Sequence, residues 1–376
     1  MARSSFDTTA LLLQGGGALG AYQAGVYEAL AEAGMQPNWV AGISIGALNG
    51  AIIAGNAPDE RVRQLRAFWE EITARPGLDW FANALPGLTN SDTARQTFAQ
   101  WSAGMAAMTG VSGFFSPRLV PPWLQRDGTL DATSWYDTGP LRETLKRYID
   151  FDRLNRGGTR YSAGAVNVRS GNFAYFDTTQ DTIEERHVLA SGALPPGFPA
   201  VEIKGEYYWD GGLVSNTPLQ WVLEFGARAD TLAFEVDLWS AKGAFPRNMA
   251  EVATRQKEIL YSSRTRDNTN QFRKLQCLRH GVAKILDDLP DSAKNSATAQ
   301  HLRTFADDKV YNIVHLIYRS KRYEGESKDY EFSRPSMQDH WQAGLNDTRH
   351  ALTHPEIFAR PVNHDGVATF DFGARE

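Results

Sequence analysis

A serine flanked by glycines is the first group in this sequence whose type and spacing could do chemistry. Gly42-Ile43-Ser44-Ile45-Gly46 matches G-x-S-x-G, the motif that presents a nucleophilic hydroxyl on a sharp turn between a strand and a helix. Such a turn strains the serine backbone, so the residues two positions to either side must lack a Cβ atom. The helix N-terminus beneath the hydroxyl favours developing negative charge. A plain helix cap at Ser44 is the competing interpretation, because a motif this short also arises by chance.

A run of glycines earlier in the chain could stabilise such a charge. Residues 15–20 satisfy G-x-G-x-x-G between a predicted strand and a predicted helix, which is also the pattern of a dinucleotide site. That site needs a carboxylate at the end of the second strand, and Ala41 and Gly42 stand there instead. Consecutive unhindered N–H groups beside a nucleophile are what a tetrahedral oxyanion requires. The predicted oxyanion donors are Gly15, Gly16, Gly17 and Ile45, and the choice among the three glycines stays open.

The third candidate is the base that would activate the serine. Asp210-Gly211-Gly212 follows a predicted strand, and the two glycines allow a close turn that exposes the carboxylate. A β-turn that begins with Asp is the alternative interpretation. A conventional triad would instead need a late histidine. Of the eight histidines, only His187 has a sequence context resembling an active-site turn.

Together the three motifs resemble those of the patatin-like phospholipases, which carry G-G-G-x-x-G, G-x-S-x-G and D-G-A or D-G-G in this order. Residues 190–201 are similar to the family's A-S-x-A-x-P-x-x-F-P-x-V stretch, and Asn216 and Pro218 fit its usual continuation. The resemblance covers residues 11–238, and residues 310–347 look like the C-terminal extension of a bacterial subset. The glycines that the motifs require, besides the oxyanion run, are Gly20, Gly42, Gly46, Gly211 and Gly212.

The resemblance implies a Ser-Asp dyad without a catalytic histidine, a three-layer α/β/α fold, and lipid acyl hydrolysis that needs no calcium, other metal or cofactor. Ser44 would attack the ester carbonyl, and Asp210 would take its proton and later activate water. Two positions depart from the family's pattern. Many relatives have Arg or Lys where this chain has Leu19, and some have Asp in place of Gln14. The departure at Leu19 weakens the inference of a phospholipid substrate more than that of acyl-ester hydrolysis.

The elements that must position these groups form a predicted βαβ unit. Residues 8–14 and 38–41 read as strands, and residues 18–33 and 47–54 as helices. Two strands joined by one helix are parallel, in a sheet covered on both faces. Both glycine turns should therefore meet at the carboxyl edge of the sheet, where open α/β sheets bind ligands.

Two domains are predicted. Residues 8–245 form a patatin-like catalytic domain, in which residues 75–135 lose clear periodicity and are rich in Trp and Phe. We predict a cap over the site for that insert, with an irregular surface subdomain as the alternative. Residues 246–376 are predicted to be a mostly helical extension with one added strand, at residues 310–318, packed on the same domain.

Composition restricts the partners and the compartment. The net charge of −5 over 376 residues gives no reason to expect nucleic acid, and a single cysteine, Cys277, excludes an intrachain disulfide and a multi-cysteine metal site. No apolar run is long enough for a signal peptide or a spanning helix. We expect a cytoplasmic protein whose membrane contact, if any, is peripheral at the inner face, through the aromatic insert or the basic stretch 249–280. Core packing and a solvated helix face are the alternatives for these two segments.

The sequence leaves the substrate open. A phospholipid or another long-chain acyl ester is the first expectation, and an aliphatic polyester is a further alternative. A non-catalytic lipid- or nucleotide-binding module that retains the glycine loops is the alternative from a different class. The acyl position, the headgroup and the oligomeric state stay open as well.

Overall fold

A nine-stranded sheet forms the core of the protein, and six neighbouring strands of it are parallel. The structure is a computed structural model, and the residues it describes are 6–74, 92–225, 228–262, 265–321 and 323–373. The strands are β1 (Thr8–Leu13), β2 (Trp39–Ile43), β3 (Ser116–Pro117), β4 (Tyr136–Asp137), β5 (Arg160–Asn167), β6 (Phe173–Asp177), β7 (Val201–Ile203), β8 (Glu206–Asp210), β9 (Thr231–Asp237), β10 (Tyr311–Ile317) and β11 (Val367–Asp371).

The order across the sheet is β11-β10-β9-β1-β2-β5-β8-β7, with β6 also paired to β5. β5 pairs with β6 and β8 in antiparallel fashion, as does β7 with β8, and β3 and β4 form a separate hairpin. The helices are α1 (Ala21–Glu32), α2 (Ile45–Ala54), α3 (Arg61–Ile72), α4 (Asp92–Thr109), α5 (Gly139–Tyr148), α6 (Phe151–Arg156), α7 (Glu185–Ser191), α8 (Leu219–Phe225), α9 (Met249–Tyr261), α10 (Thr265–Asp288), α11 (Asp291–Lys294), α12 (Ala297–Arg303) and α13 (Arg334–Leu352).

The predicted βαβ unit is confirmed. β1 and β2 are parallel neighbours, and Leu13 lies level with Gly42, so the two glycine turns leave the sheet side by side. β1 is a continuous apolar run because β2 and β9 flank it and both of its faces are covered. This register places the Gly15 loop next to Ser44.

The sheet separates two apolar clusters, which makes the fold the predicted three-layer α/β/α arrangement. Leu11 and Leu13 of β1 pack into the larger cluster, together with residues of α1, α2 and α3. Their neighbours in β1 point the other way, into a smaller cluster that includes residues of α8 and α10. This alternation follows from the period of two along a strand.

The C-terminal extension is built into the same sheet and the same helical layer. β10 pairs with β9, and β11 with β10. Helix α13 crosses α1 at two glycines: a Cβ atom added at Gly25 would lie 1.9 Å from the Trp341 carbonyl oxygen, and one added at Gly344 would lie 2.0 Å from that of Tyr22. The two helix backbones are therefore in direct contact, an approach that only glycine permits.

Two expectations differ from the structure. Residues 75–135 were expected to lack regular structure, yet α4 occupies Asp92–Thr109; its periodicity is weak because only Ser102, Ala103 and Ala106 are buried along it. Residues 75–91 lie outside the described residues. The extension adds two strands to the sheet rather than one, because the short edge strand β11 carries no clear alternation of apolar and polar residues.

Candidate active site

Ser44 lies in the turn between β2 and α2. Its backbone has a conformation that residues other than glycine rarely adopt. Its φ is 56° and its ψ is −126°, so it is one of two described non-glycine residues with positive φ. The turn is tight on both sides: a Cβ atom at Gly42 would lie 2.2 Å from the Gly46 carbonyl oxygen, and one at Gly46 would lie 2.2 Å from that of Leu13. The glycines at these positions are required by the close backbone approach.

The strained turn is held by a serine on α7. Ser191 Oγ accepts a hydrogen bond of 3.0 Å from the Ser44 N–H and donates one of 2.6 Å to the Gly164 carbonyl on β5. Ser191 is fully buried, so this link between α7, β5 and the turn is shielded from water. Ser191 belongs to the 190–201 stretch, but its role was not inferred from the sequence.

Asp210 ends β8 and faces the serine. Its side chain is buried, with 2% of the residue exposed. Its Oδ1 accepts a hydrogen bond of 2.7 Å from the Gly212 N–H, and it lines the same pocket as Ser44. Burial raises the pKa of Asp210 to about 7, against the lowering effect of the nearby Ser44 side chain and the Gly212 N–H. The carboxylate therefore gains and loses a proton near neutral pH.

No histidine lines the pocket around Ser44 among the residues that the structure describes. His187, the histidine that its sequence context favoured, is buried in α7, where its Nδ1 accepts a 2.9 Å hydrogen bond from the Glu184 N–H. Its ring packs edge-on against Phe176, and burial lowers the pKa of His187. These contacts place it in a helix cap and in the core.

The predicted oxyanion donors are not equivalent. The Gly15 N–H already donates to the Asn216 carbonyl at 3.2 Å, so Gly15 is not available as a donor. Within the described ranges no acceptor is paired with the N–H groups of Gly16, Gly17 or Ile45, and all three residues line the pocket with Ser44. The candidate hole therefore narrows to these three groups.

The remaining motif glycines lie in the pocket lining or pack closely against neighbouring residues. Gly212 lines the pocket. Gly20 packs beneath it against Ile45 and Trp69, and Gly211 packs on the backbone of Gly164. Each of the three motifs thus contributes residues to the lining of one pocket: Gly15, Gly16 and Gly17, then Ser44 and Ile45, then Asp210 and Gly212.

Gln14, where some relatives have Asp, anchors the glycine loop. Its fully buried side chain accepts hydrogen bonds from the N–H groups of Leu238 at 2.6 Å and Trp239 at 2.9 Å. It donates to Thr217 Oγ1 at 3.0 Å and to the Tyr261 carbonyl at 3.1 Å. A neutral amide suits this position, because the site demands two acceptor and two donor contacts at once. Leu19, the other departure, is buried in the core.

The pocket has a volume of about 510 Å³ and is largely apolar. Four phenylalanine rings lie next to one another in its lining, with Phe114 and Phe332 centroids 5.6 Å apart and those of Phe115 and Phe198 5.3 Å apart. Pockets of this size and character accept small-molecule or acyl groups.

One side of the pocket comes from the C-terminal extension. We call this side the extension wall and the side that carries Ser44 and Asp210 the catalytic wall. The extension wall consists of Lys257, Tyr261, Asp329, Tyr330 and Phe332.

The extension wall contacts the glycine loop directly. The Asp329 carbonyl accepts a 2.7 Å hydrogen bond from the Ala18 N–H. A Cβ atom at Gly17, whose φ is 56°, would lie 2.0 Å from the same oxygen. Lys257 Nζ lies 2.5 Å from Asp329 Oδ1 and donates to the Glu326 carbonyl at 3.1 Å. The positive charge that is missing at Leu19 is thus present in the pocket, but it is paired with Asp329.

Comparison with known proteins identifies the family to which the chain belongs. A family model described as "Patatin-like phospholipase" matches residues 11–222, more than half of the chain. The chain belongs to the patatin-like phospholipase family. A second model, described as "Patatin phospholipase", matches residues 259–364 of the extension. Patatin-like phospholipases are typically acyl-ester hydrolases, so membership implies an acyl hydrolase with a lipid or other acyl-ester substrate.

Other comparisons say less about this patatin-like chain. The crystal structure of VipD from Legionella pneumophila matches with a TM-score of 0.41 at 14% identity, over 98% of this chain and 72% of that one. No curated protein matches. Among the helices in the described ranges, none combines the length and the apolar character that crossing a bilayer requires.

Proposed function

We propose that this patatin-like chain is a serine acyl-ester hydrolase in which Ser44 is the nucleophile and Asp210 the base. The observation that carries the proposal is that Ser44, on its strained turn, lines one pocket with Asp210, a buried carboxylate whose pKa burial raises to about 7. A base is most effective when its pKa lies near the working pH. The strained turn that presents Ser44 further supports a reactive role.

The first half of the reaction forms an acyl-enzyme. Ser44 Oγ attacks the ester carbonyl carbon while Asp210 takes the hydroxyl proton. The carbonyl oxygen becomes an oxyanion, which the N–H groups of Gly16, Gly17 and Ile45 are available to stabilise. The tetrahedral intermediate then breaks its bond to the leaving alkoxide, and Asp210 returns the proton to that oxygen.

The second half hydrolyses the acyl-enzyme. Asp210, again ionised, takes a proton from a water molecule. The oxygen of that water molecule attacks the acyl carbonyl carbon at the same time. The bond to Ser44 Oγ breaks, and Asp210 returns the proton to Ser44 as the free acid leaves. Every proton passes through one carboxylate, so no histidine and no cofactor is needed.

The lining of the pocket favours a long aliphatic acyl group. Rings from Phe114, Phe115, Phe198 and Phe332 surround the space next to Ser44, and burying methylene groups there stabilises the complex by about 0.8 kcal/mol each. A lipid acyl ester is therefore the preferred substrate class, and an aliphatic polyester is the alternative with the same local chemistry.

We further propose that the segment beyond α4 acts as a cap that meets lipid. Trp123 and Trp135 pack together with centroids 5.6 Å apart, although each is about half exposed or more, at 69% and 47%. The backbone N–H of Trp135 donates a hydrogen bond to the carbonyl of Pro196, a residue of the pocket lining. Exposed tryptophans beside a lipid pocket suit an interfacial position.

The basic stretch 249–280 is less suited to bind a membrane, because several of its charges are already paired. Arg255 lies 3.1 Å from Glu258, and Arg273 lies 2.8 Å from Asp365. Cations held by internal acids contribute little to attraction by an anionic surface.

Labelling with a fluorophosphonate tests the nucleophile. The wild-type chain should be labelled, Ser44→Ala should not, and Ser292→Ala, which changes an exposed serine, should label like the wild type. An unlabelled wild-type chain would favour the non-catalytic lipid- or nucleotide-binding module. Equal labelling of Ser44→Ala would assign the nucleophile to another residue.

A further inference from the structure

A second group of titratable side chains lies apart from Ser44, on the strands that join the extension to the sheet. Glu235 and Asp237 lie two residues apart on β9 and therefore project to the same face. His315 on β10 lies level with Glu235, and Asp371 on β11 lies level with His315. Three carboxylates are thus collected around one imidazole.

Glu235 is the most deeply buried carboxylate of this group. It is fully buried, with 0% of the residue exposed. Neither of its carboxylate oxygens has a hydrogen-bond partner among the residues that the structure describes. His315 Nδ1 lies 3.0 Å from Glu235 Oε2, within ion-pair distance, but neither atom has a hydrogen-bond partner. A buried carboxylate without a hydrogen bond is strongly destabilising unless a cation compensates it.

The positions of these groups suit a metal ion. One ligand atom from each of Glu235, Asp237 and His315 lies within 4.8 Å of the other two. An ion bonded at about 2.0–2.2 Å to nitrogen and oxygen holds neighbouring ligand atoms about 3.5 Å apart, so small side-chain rotations would close the site. Asp237 and His315 also line an open cavity of about 910 Å³, which provides an entry path and room for water ligands.

We propose that Glu235, Asp237 and His315 bind a divalent transition-metal ion, of the kind represented by Zn²⁺. One imidazole nitrogen and two carboxylates form a donor set that such ions accept, with a remaining position open to water from the cavity. A buried ion pair between His315 and Glu235 is the competing explanation. That pair would leave Glu235 Oε1 without any partner, whereas a bound ion compensates the whole carboxylate.

The ion would tie the extension to the catalytic wall. His315 belongs to the extension, whereas Asp237 ends β9 and accepts a 3.4 Å hydrogen bond from Thr217 Oγ1. Thr217 in turn accepts from Gln14, which holds the glycine loop. The site therefore has a structural role in this assignment, and its ligands do not include Ser44 or Asp210.

Equilibrium dialysis of the full-length chain against micromolar ZnCl₂ tests the assignment. A Cys277→Ser background removes the exposed thiol. We expect one tightly held ion per chain and at least tenfold weaker binding in Glu235→Gln. His354→Asn is the matched control, because His354 also lies 3.0 Å from an acid, Glu356, but on the surface; it should bind like the parent.

Absence of a retained ion in the parent, or equal binding by Glu235→Gln, overturns the proposal. Should Glu235→Gln fail to fold, Asp237→Asn takes its place. The parent chain gives an independent measurement, since an ion that binds only the folded state raises Tm with its concentration. A Tm unchanged by ZnCl₂ and by its removal with EDTA also overturns the proposal.

Discussion

Asp210 on the catalytic wall and Asp329 on the extension wall differ in what surrounds the carboxylate. Burial raises the pKa of both. Asp210 accepts a hydrogen bond from the Gly212 N–H, and no Lys or Arg among the described residues contributes to its pKa. Asp329 has the ammonium of Lys257 at 2.5 Å, which lowers its pKa against the effect of burial.

This difference assigns different roles to two carboxylates of one pocket. A buried carboxylate without a counter-cation exchanges its proton near neutral pH and can serve as a base. One that is hydrogen-bonded to an ammonium is held in place by that contact and acts as a fixed structural link. Asp329 is thus a positioning residue in our proposal, and its backbone carbonyl, bonded to the Ala18 N–H, is the part that contacts the glycine loop.

The largest expected effect comes from removing the reacting groups of the catalytic wall. Ser44→Ala and Asp210→Asn should each lower kcat by roughly 10,000-fold, because each removes a group through which the reaction must pass. Hydrolysis of a soluble long-chain ester measures this. Single histidine-to-alanine variants, including His187→Ala, should keep most of the turnover. A histidine variant as inactive as Ser44→Ala would contradict the dyad.

The raised pKa of Asp210 predicts opposite pH dependences of activity and stability. Activity requires the ionised carboxylate, so kcat/KM should rise with pH and level off above about 7. The folded state binds the Asp210 proton more tightly than the unfolded state, whose carboxyl has a pKa of about 3.9. The free energy of unfolding should therefore fall as pH rises from about 4 to about 7.

Asp210→Asn should remove the part of the pH dependence of stability that Asp210 contributes. At pH 8 we expect it to be more stable than wild type by about 1–3 kcal/mol, because it no longer buries an unpaired charge. Urea unfolding at pH 5 and pH 8 measures the difference. Equal stability of the two chains at both pH values would show that the Asp210 pKa is not raised.

Breaking the pair on the extension wall should have a smaller effect than losing the dyad. Lys257→Met and Asp329→Asn should each lower kcat by about 10- to 100-fold, since small displacements of a positioned donor cost about this much. Each should change KM little, and their combined effect should fall well short of the sum of their free energies. Lys146→Met, which breaks an exposed pair with Glu143, is the matched control. A pure KM effect would instead place Lys257 in substrate binding.

The sequence predicted the catalytic wall because the signals there are local. Ser44 and Asp210 are each marked by adjacent glycines, and the apolar run of β1 with the helix that follows it indicated a parallel unit. These features depend on residues that are neighbours in the chain. Geometry at a tight turn can therefore be inferred without knowing what packs against it.

The residues that hold the site could not be predicted, because their partners are distant in sequence. Gln14 bonds to Leu238 across 224 positions, and Ser191 reaches Ser44 across 147. Lys257 pairs with Asp329 across 72 positions. The loss of Gly15 as an oxyanion donor has the same origin, since Asn216 occupies its N–H. Only the tertiary structure determines which N–H groups remain unpaired.

The smallest expected effect is on the preference for acyl-chain length. It tests whether the insert or the extension wall contacts the acyl chain. Phe115 lies on the side of the insert and Phe332 on the extension wall, and both line the pocket. Replacing either ring with alanine enlarges the pocket, so the ratio of kcat/KM for long over short acyl chains should rise by up to about tenfold. A series of p-nitrophenyl esters of increasing chain length measures the ratio. A shift for Phe115→Ala alone would show that the acyl chain runs along the insert and that the extension wall acts only through the glycine loop.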